Sequence, residues 1–330
     1  MRMMPVALLL CLVWPQLAFA ACEGRDLLAE LQQRDPAAHQ RIFERAAAIP
    51  NHVGVFWKVE TPGAAPSWLL GTYHDTEMGR RPLGRNVAQA LDGARLMLVE
   101  MTDAEIARMN ERIETDPSFS FAPSDTGLVV AGEDRARLDA ALSSRGITVE
   151  LAGRMRPWLL FATFGFPLCQ IRELSEGAPI MDQALADRAE AAGTPVAGLE
   201  TYEQALSAFD GIPDDAMKAL VGDLLAWTDA EEDLRRTNLG LYEAEQVAAI
   251  LAYSVEISAA QIGETESERL SDSFVNAVLT NRNEAWMDVL VREVALGGVF
   301  AAMGALHLPG ETGIVALLRE RGFTVTRQAL

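Results

Sequence analysis

Two short segments carry the same four-residue pattern in the same local setting, and this repeat constrains the fold more than any other feature of the sequence. Gly71-Thr-Tyr-His74 and Gly304-Ala-Leu-His307 are both G-x-x-H. Each follows an apolar stretch typical of a buried strand, and each precedes a helical pattern and a further strand. Because a strand, a crossover helix and a second strand build parallel sheets, the sequence predicts an α/β fold. Its central sheet is expected to be mixed or parallel and to contain two strand–G-x-x-H–helix–strand units.

The elements of these units can be placed along the chain. Val53–Val59 and Ser67–Leu70 predict a hairpin, because a turn-rich segment separates two short strand patterns. After His74 the first unit continues through a polar loop. The helices and strands predicted further along are, in order, the helix Asn86–Asp92, the strand Arg95–Glu100, the short strand Pro195–Leu199, the strand Gly298–Met303, the helix Glu311–Arg321 and the strand Phe323–Arg327.

The regions between these strands are helical in pattern, and no Pro- or Ser-rich linker divides them. Helical insertions are expected over about 102–192 and 203–296, with breaks near Gly240 and Gly263. One aromatic segment, Arg156–Pro167, is interpreted as core packing in preference to a ligand platform. Residues 21–330 are therefore expected to form a single domain.

Polar side chains stand where several of the predicted strands end. His74, Glu100, Glu200 and His307 each follow a strand pattern. Open parallel sheets bind ligands at the carboxyl ends of their strands, so two imidazoles and two carboxylates should meet at one edge if these strands share a sheet. A glycine three residues before each histidine suits a strand exit at which the backbone approaches another group closely.

This combination of side chains is typical of a catalytic metal site. Two neutral imidazoles and a carboxylate, with one position left for water, bind zinc, manganese, cobalt or iron. Such a metal lowers the pKa of its bound water, and a second carboxylate can accept the proton. The alternative is that His74 and His307 cap strand ends by hydrogen bonding to the backbone, with Glu100 and Glu200 assisting.

The charge balance and the absence of common motifs narrow the function. The chain has 28 Lys and Arg against 47 Asp and Glu, a net charge of −19. Nucleic-acid binding depends on basic side chains, so no nucleic-acid partner is expected. The sequence contains no H-E-x-x-H, P-loop, G-x-S-x-G or C-x-x-C. The two other histidines, His39 and His52, are expected at the surface.

The beginning of the chain has the features of a secretory signal peptide over residues 1–20. Arg2 precedes the apolar run Val6–Trp14, and Ala18-Phe19-Ala20 places small residues where a signal peptidase reads. Cleavage after Ala20 predicts a periplasmic or secreted protein. An uncleaved anchor is disfavoured because Pro15-Gln16 interrupts the run. A lipoprotein acylated at Cys22, the one route to membrane attachment, is disfavoured because Phe19 is bulky.

Export changes the meaning of the three cysteines. Cleavage would remove Cys11 and leave Cys22 and Cys169 in a compartment where disulfides persist. One hypothesis is a Cys22–Cys169 bridge between the mature N-terminus and the middle of the chain. The other is two separate buried thiols, since free cysteine behaves as a small apolar residue.

Five ordered motifs resemble those of the TraB/GumN family, which includes the Tiki metalloproteases and is related to the erythromycin-esterase and ChaN-like proteins. They span roughly residues 53–327. Each is short, but their order and spacing are specific. The matching segments are Trp68-Leu-Leu-Gly-Thr-Tyr-His74, Leu96-Met-Leu-Val-Glu100, Gly198-Leu-Glu-Thr201, Asn281-Arg-Asn283 with Trp286, and Gly304-Ala-Leu-His-Leu-Pro-Gly-Glu-Thr-Gly313 before Gly322-Phe-Thr-Val.

This resemblance implies a compact α/β fold with a helical insertion and a divalent-metal site. The implied metal ligands are His74, Glu100 and His307, with Mn, Co or Zn as the ion. Arg282 and Asn283 match an Arg-Asn pair that orients substrate or the surroundings of the metal. The remaining candidate catalytic residue is Glu200, in a Leu-Glu-Thr element of unassigned role.

The same resemblance implies a function. The expected protein is an exported metal-dependent hydrolase that acts on a peptide or small acyl substrate with metal-bound water, with Arg282 stabilising the developing oxyanion. One alternative is a non-catalytic metal- or haem-binding envelope protein of the same fold. A third is an envelope scaffold in which the G-x-x-H motifs are structural. The loop Met78–Gly84 is more basic than its counterpart in the family. The resemblance therefore does not predict which residues of this loop border the substrate.

Overall fold

The structure is a computed structural model that describes residues 22–129 and 135–330, so the proposed signal peptide over 1–20 and Cys11 lie outside the described residues. Six strands form one sheet in the order β4-β3-β5-β2-β1-β6. Their bounds are β1 Phe56–Glu60, β2 Ser67–Thr72, β3 Leu96–Val99, β4 Val196–Gly198, β5 Val299–Gly304 and β6 Thr324–Arg327.

Strand direction confirms the predicted mixed sheet. β2 runs parallel to β5, β5 to β3, and β3 to β4. β1 is antiparallel to both β2 and β6, which confirms the hairpin and gives β6 the direction of β2. Both G-x-x-H units are therefore parallel crossovers, β2 to β3 and β5 to β6, and the carboxyl ends of β2, β3, β4 and β5 share one edge.

Helices fill the connections. α1 (Leu27–Arg34) and α2 (Pro36–Ala47) precede the sheet, and α3 (Thr76–Arg80) and α4 (Arg85–Asp92) join β2 to β3. Between β3 and β4 lie α5 (Asp103–Thr115), α6 (Pro117–Ser120), α7 (Arg135–Ser143), α8 (Val149–Ala152), α9 (Pro157–Phe164), α10 (Leu168–Ser175) and α11 (Met181–Ala191). Between β4 and β5 lie α12 (Tyr202–Ser207), α13 (Asp214–Ala226), α14 (Glu231–Glu243), α15 (Val247–Ile262), α16 (Glu264–Phe274) and α17 (Asn281–Leu296), and α18 (Ile314–Glu320) joins β5 to β6. The π-helical segment Val275–Thr280 connects α16 to α17, and short 3-10 turns cover Ala208–Gly211, Thr228–Ala230 and Ala305–His307.

Successive side chains of the strands enter two apolar layers on opposite faces of the sheet. Leu70 and Phe300 pack with the helices α1, α2, α4, α11 and α15. Their chain neighbours Leu69 and Ala301 pack with α17 and α18. This alternation is the two-residue period of a strand. A third apolar cluster lies within the helical insertions, around Leu160 and Val221. Helices thus cover both faces of the sheet and leave its carboxyl edge available for a site.

One local prediction is wrong. The polar loop expected after His74 contains α3, because the carboxylate of the buried Asp75 accepts hydrogen bonds from the backbone N–H groups of Glu77 and Met78 and caps the helix. The break expected near Gly240 falls a few residues later, where α14 ends at Glu243 and α15 begins at Val247. The break at Gly263 is confirmed.

The two described cysteines are bonded to each other. Cys22 and Cys169 form a disulfide with Cα atoms 5.4 Å apart. It ties the residues before α1 to the first turn of α10. Neighbouring contacts hold the same segment: the Glu23 N–H donates to Glu232, and the Arg25 N–H donates to Asp233. Among the helices of residues 22–129 and 135–330, none has both the length and the apolar character needed to cross a bilayer.

Candidate functional site at the carboxyl edge

The strand ends bring together the residues that the sequence placed there. Pairing of β3 with β4 extends past the strands, as the Glu200 N–H donates to the Glu100 carbonyl over 3.1 Å. The Glu100 side chain reaches across to β5, where its Oε1 accepts the Gly304 N–H at 2.7 Å. Nε2 of His307 lies 3.8 Å from the same oxygen. Glu100 therefore stands at the centre of the edge.

The two motif glycines are required by close approach and not by backbone conformation. A Cβ atom added to Gly71 would lie 2.9 Å from the Cα of Ala305 and 2.7 Å from a methyl of Leu308, so the first motif packs directly on the second. A Cβ atom added to Gly304 would lie 3.2 Å from Glu100 Oε1, 3.6 Å from Cδ2 of His307 and 3.7 Å from Nε2 of His74. The space above Gly304 is thus bounded by both histidines and the central carboxylate.

His307 is buried and held by neutral groups. Its Nδ1 is 2.7 Å from Oδ1 of Asn283, and its ring centroid lies 4.4 Å from that of Trp286, with the two planes at 40°. The Asn283 amide is held in turn, as its Nδ2 donates to the Thr312 carbonyl at 2.9 Å. Burial lowers the pKa of His307 to about 3, so the imidazole is neutral. Its Nε2 is directed toward Glu100 and Arg282.

His74 is held by a charged group that the sequence did not reveal. Its Nδ1 lies 2.9 Å from Oδ2 of Asp182 in α11, whose Oδ1 accepts a 2.6 Å hydrogen bond from Thr72. The buried Gln170 donates to the His74 carbonyl at 2.8 Å. The charge of Asp182 raises the pKa of His74 to about 9. No sequence pattern connects residues 108 positions apart, so only the fold reveals this contact.

Arg282 crosses the centre of the site. Its guanidinium donates to Glu200 through Nε at 3.0 Å and through Nη2, and to Oε2 of Glu100 at 2.5 Å. Its Nη1 lies 3.3 Å from Nε2 of His307. Burial opposes ionisation of Glu100, but His307 and Arg282 outweigh it and lower the pKa of Glu100 to about 2. Burial also raises the pKa of Glu200.

A cavity of about 560 Å³ opens over these groups, lined by His74, Glu100, Arg282 and His307 among others. Its remaining wall is mostly apolar. The end of the aromatic segment contributes Phe164, Phe166 and Pro167, and the helical insertions contribute Leu224, Trp227, Leu234, Phe274 and Val278. Leu160 and Phe164 of α9 belong to the third apolar cluster and Leu159 and Phe161 pack against it, in agreement with core packing. Phe166 and Pro167, at the end of the same segment, line the cavity.

The donor groups suit a divalent metal in chemistry and orientation. Each histidine has its Nδ1 engaged by a partner, which leaves Nε2 as the nitrogen that a metal could use. Nε2 of His74 faces the space above Gly304, and Nε2 of His307 lies 3.8 Å from Glu100 Oε1 and contacts Nη1 of Arg282. Such outer partners are usual for metal-binding histidines. Across residues 22–129 and 135–330, however, no three His, Cys, Asp or Glu side chains stand at the spacing of a ready-made metal site. The Arg282 guanidinium lies against two of the three donors.

The remaining candidate residues have distinct places. Glu200 is buried and bonded to Arg282, and Asn283 acts through His307 instead of lining the cavity. His39 contacts Phe43, and both His39 and His52 are half-buried and do not line the cavity. Asp182 and Thr72 are the functional candidates that the sequence missed.

Fold and site together define an α/β protein whose two G-x-x-H units place histidine, glutamate and arginine at one sheet edge. The profile of the TraB/PrgY/gumN family matches residues 55–327, and the chain belongs to this family. The comparison with curated proteins yields no match.

Proposed function

We propose that the protein is a metal-dependent hydrolase acting on a peptide or related acyl bond, with His74, Glu100 and His307 as the metal ligands. The observation that carries the proposal is the shared orientation of the two motif histidines. Each has Nδ1 fixed by a side chain from a distant helix, so that Nε2 is directed toward Glu100. Nε2 of His74 also faces the space above Gly304. If the two histidines only capped strand ends, their Nε2 atoms would not need to face the same carboxylate.

A divalent cation bound there would polarise a carbonyl group and make water nucleophilic near neutral pH. The chain supplies the remaining functions. Arg282 faces the cavity and can donate an N–H to an oxygen that gains negative charge. Glu200 does not line this cavity, and its bonds to Nε and Nη2 hold the guanidinium in place for that role. Asn283 holds the ring of His307, and the apolar wall excludes water from the reacting bond.

Export to the periplasm or outside the cell is part of the proposal. The Cys22–Cys169 disulfide supports it, because disulfides persist in oxidising compartments and are rare in reducing ones. Residues 1–20 carry the sequence features of a cleavable signal.

The test is cleavage of a peptide library by the purified protein, first treated with a chelator and then resupplied with Mn²⁺, Co²⁺ or Zn²⁺. We expect cleavage that the chelator abolishes and one of these ions restores. His74→Ala and His307→Ala should be inactive, whereas His39→Ala, which changes a histidine outside the cavity, should retain activity. Absence of cleavage with every ion, together with a Soret band on haem addition that is lost in His74→Ala, would replace the proposal with a haem-binding function.

A further inference from the structure

Arg282 occupies the position where a cation is expected. Its Nη2 bonds to Oε2 of Glu100 at 2.5 Å, and its Nη1 stands 3.3 Å from Nε2 of His307. A neutral imidazole nitrogen accepts one hydrogen bond or binds one metal ion, but not both at once. The guanidinium thus takes up the ligand nitrogen of His307 and one oxygen of the Glu100 carboxylate.

The arginine is anchored on its other side. Its Nε and Nη2 donate hydrogen bonds to Glu200, whose side chain is only 4% exposed. Its Cζ lies over the Trp286 ring, 4.8 Å from the ring centroid. The guanidinium therefore cannot leave the site without leaving the buried Glu200 carboxylate without its ion-pair partner. Because the group is planar, its contacts to Glu200 also fix where Nη1 lies.

An alternative acceptor for Nη1 is already in place. The carbonyl of Val278 lies 3.4 Å from Nη1, within the π-helical segment Val275–Thr280 that precedes Arg282. π-helical turns occur often at functional sites. Nη1 carries two N–H groups, and Val278 accepts one of them whether or not His307 accepts the other. Release of His307 therefore frees one N–H, on a side chain that lines the cavity.

We propose that the Arg282 guanidinium and a divalent metal compete for the same donor atoms, so that a metal binds only in competition with Nη1 for Nε2 of His307. The inference rests on the proposed metal site and assigns Arg282 a role in controlling metal affinity. A fixed positive charge within about 4 Å of a bound cation weakens binding even at an effective dielectric constant of about 20.

The test measures Zn²⁺ and Mn²⁺ affinity by isothermal titration calorimetry on the chelator-treated full protein. Arg282→Gln should bind Zn²⁺ at least about tenfold more tightly than the wild type, because the competing charge is gone. Arg282→Lys, which retains the charge, should stay within about threefold of the wild type. Equal or weaker binding by Arg282→Gln would overturn the inference and show that the arginine supports the ligands.

Loss of Arg282 leaves Glu200 buried without a partner, so folding is checked by thermal unfolding. If Arg282→Gln does not fold, Arg282→Gln with Glu200→Gln replaces the ion pair by two amides, and the same increase in affinity is expected. Failure of the inference is distinguishable from failure of the proposed function. If the wild type and all variants bind no metal, the metal site itself is refuted. If the wild type binds metal and neither neutral variant binds it more tightly, only the role of Arg282 is refuted.

Discussion

The two G-x-x-H units share a pattern and a backbone placement, but their histidines stand in opposite surroundings. The His74 side chain is 44% exposed and held by the carboxylate of Asp182. The His307 side chain is 4% exposed and held by the neutral amide of Asn283 beneath Trp286. The motif therefore determines where the imidazole leaves the sheet, whereas helices distant in sequence determine its charge.

This difference has a chemical consequence. Without metal, His74 is an imidazolium at neutral pH and His307 is a neutral imidazole. A metal ion that binds both must displace a proton from His74 but none from His307. We expect His307 to bind metal in competition with Arg282 but without losing a proton, and His74 to be the ligand that makes binding sensitive to pH.

The largest expected effect concerns the disulfide, which supports only the His74 unit. Cys169 neighbours Gln170, which holds the His74 carbonyl, and β5 has no covalent tie of this kind. Cys169→Ser should lower the free energy of unfolding by about 2–5 kcal/mol. Hydrogen exchange should increase in α10 through local opening, and in β5 only as far as the loss of global stability requires. Two free thiols in the unreduced chain from residue 21, after unfolding, would show that the bridge does not form.

Next in size is the loss of each histidine's partner. Asn283→Ala leaves the Thr312 carbonyl and Nδ1 of His307 without their partner in a buried region, and should cost about 2–3 kcal/mol of stability. Asp182→Ala removes a contact to the exposed His74 and should cost about 1 kcal/mol. Urea unfolding of both variants measures the difference. Equal losses of stability in the two variants would contradict the contrast between the buried His307 and the exposed His74.

Alanine substitutions at the two motif glycines should affect different properties, stability at Gly71 and metal affinity at Gly304. Gly71→Ala brings a methyl group against the Ala305 backbone and should cost about 1–3 kcal/mol. Gly304→Ala projects its methyl toward the end of the Glu100 side chain, so stability should change by less than about 1 kcal/mol while metal affinity falls at least about tenfold. Thermal unfolding and calorimetry of the same samples make the comparison, and Gly222→Ala, which meets no neighbour, is the control.

The smallest expected effect is a change in the pKa of His74, which NMR titration of the metal-free protein measures. His74 should titrate with a pKa of about 9, and Asp182→Asn should lower that value. Because the folded pKa lies above the ordinary 6.5, this group stabilises the fold fully below pH 6.5 and loses the contribution as pH rises through about 9. His307, with its pKa lowered to about 3, has the opposite effect, and stability falls as pH drops from 6.5 toward 3. A His74 pKa unaffected by Asp182→Asn would disprove the pairing.

Local patterns were sufficient to predict the strand ends. His74, Glu100, Glu200 and His307 share an edge because each follows an apolar strand, and strand direction is readable from crossover units. The contact of Asp182 with His74 was not predictable from the sequence. Asp182 lies in the first turn of α11, where acidic residues are common because they interact favourably with the helix dipole. The cavity wall at Phe166 was missed for a similar reason: an aromatic run does not reveal which of its side chains face a cavity.

Metal binding by the two motif histidines is the central claim, and equilibrium dialysis against Zn²⁺ followed by elemental analysis tests it most directly. We expect about one zinc ion per chain in the wild type and in His39→Ala, and less than about a tenth of that in His74→Ala, Glu100→Gln and His307→Ala. Equal zinc content in the wild type and all three ligand variants, whether negligible or not, would contradict a site shared by the two G-x-x-H units.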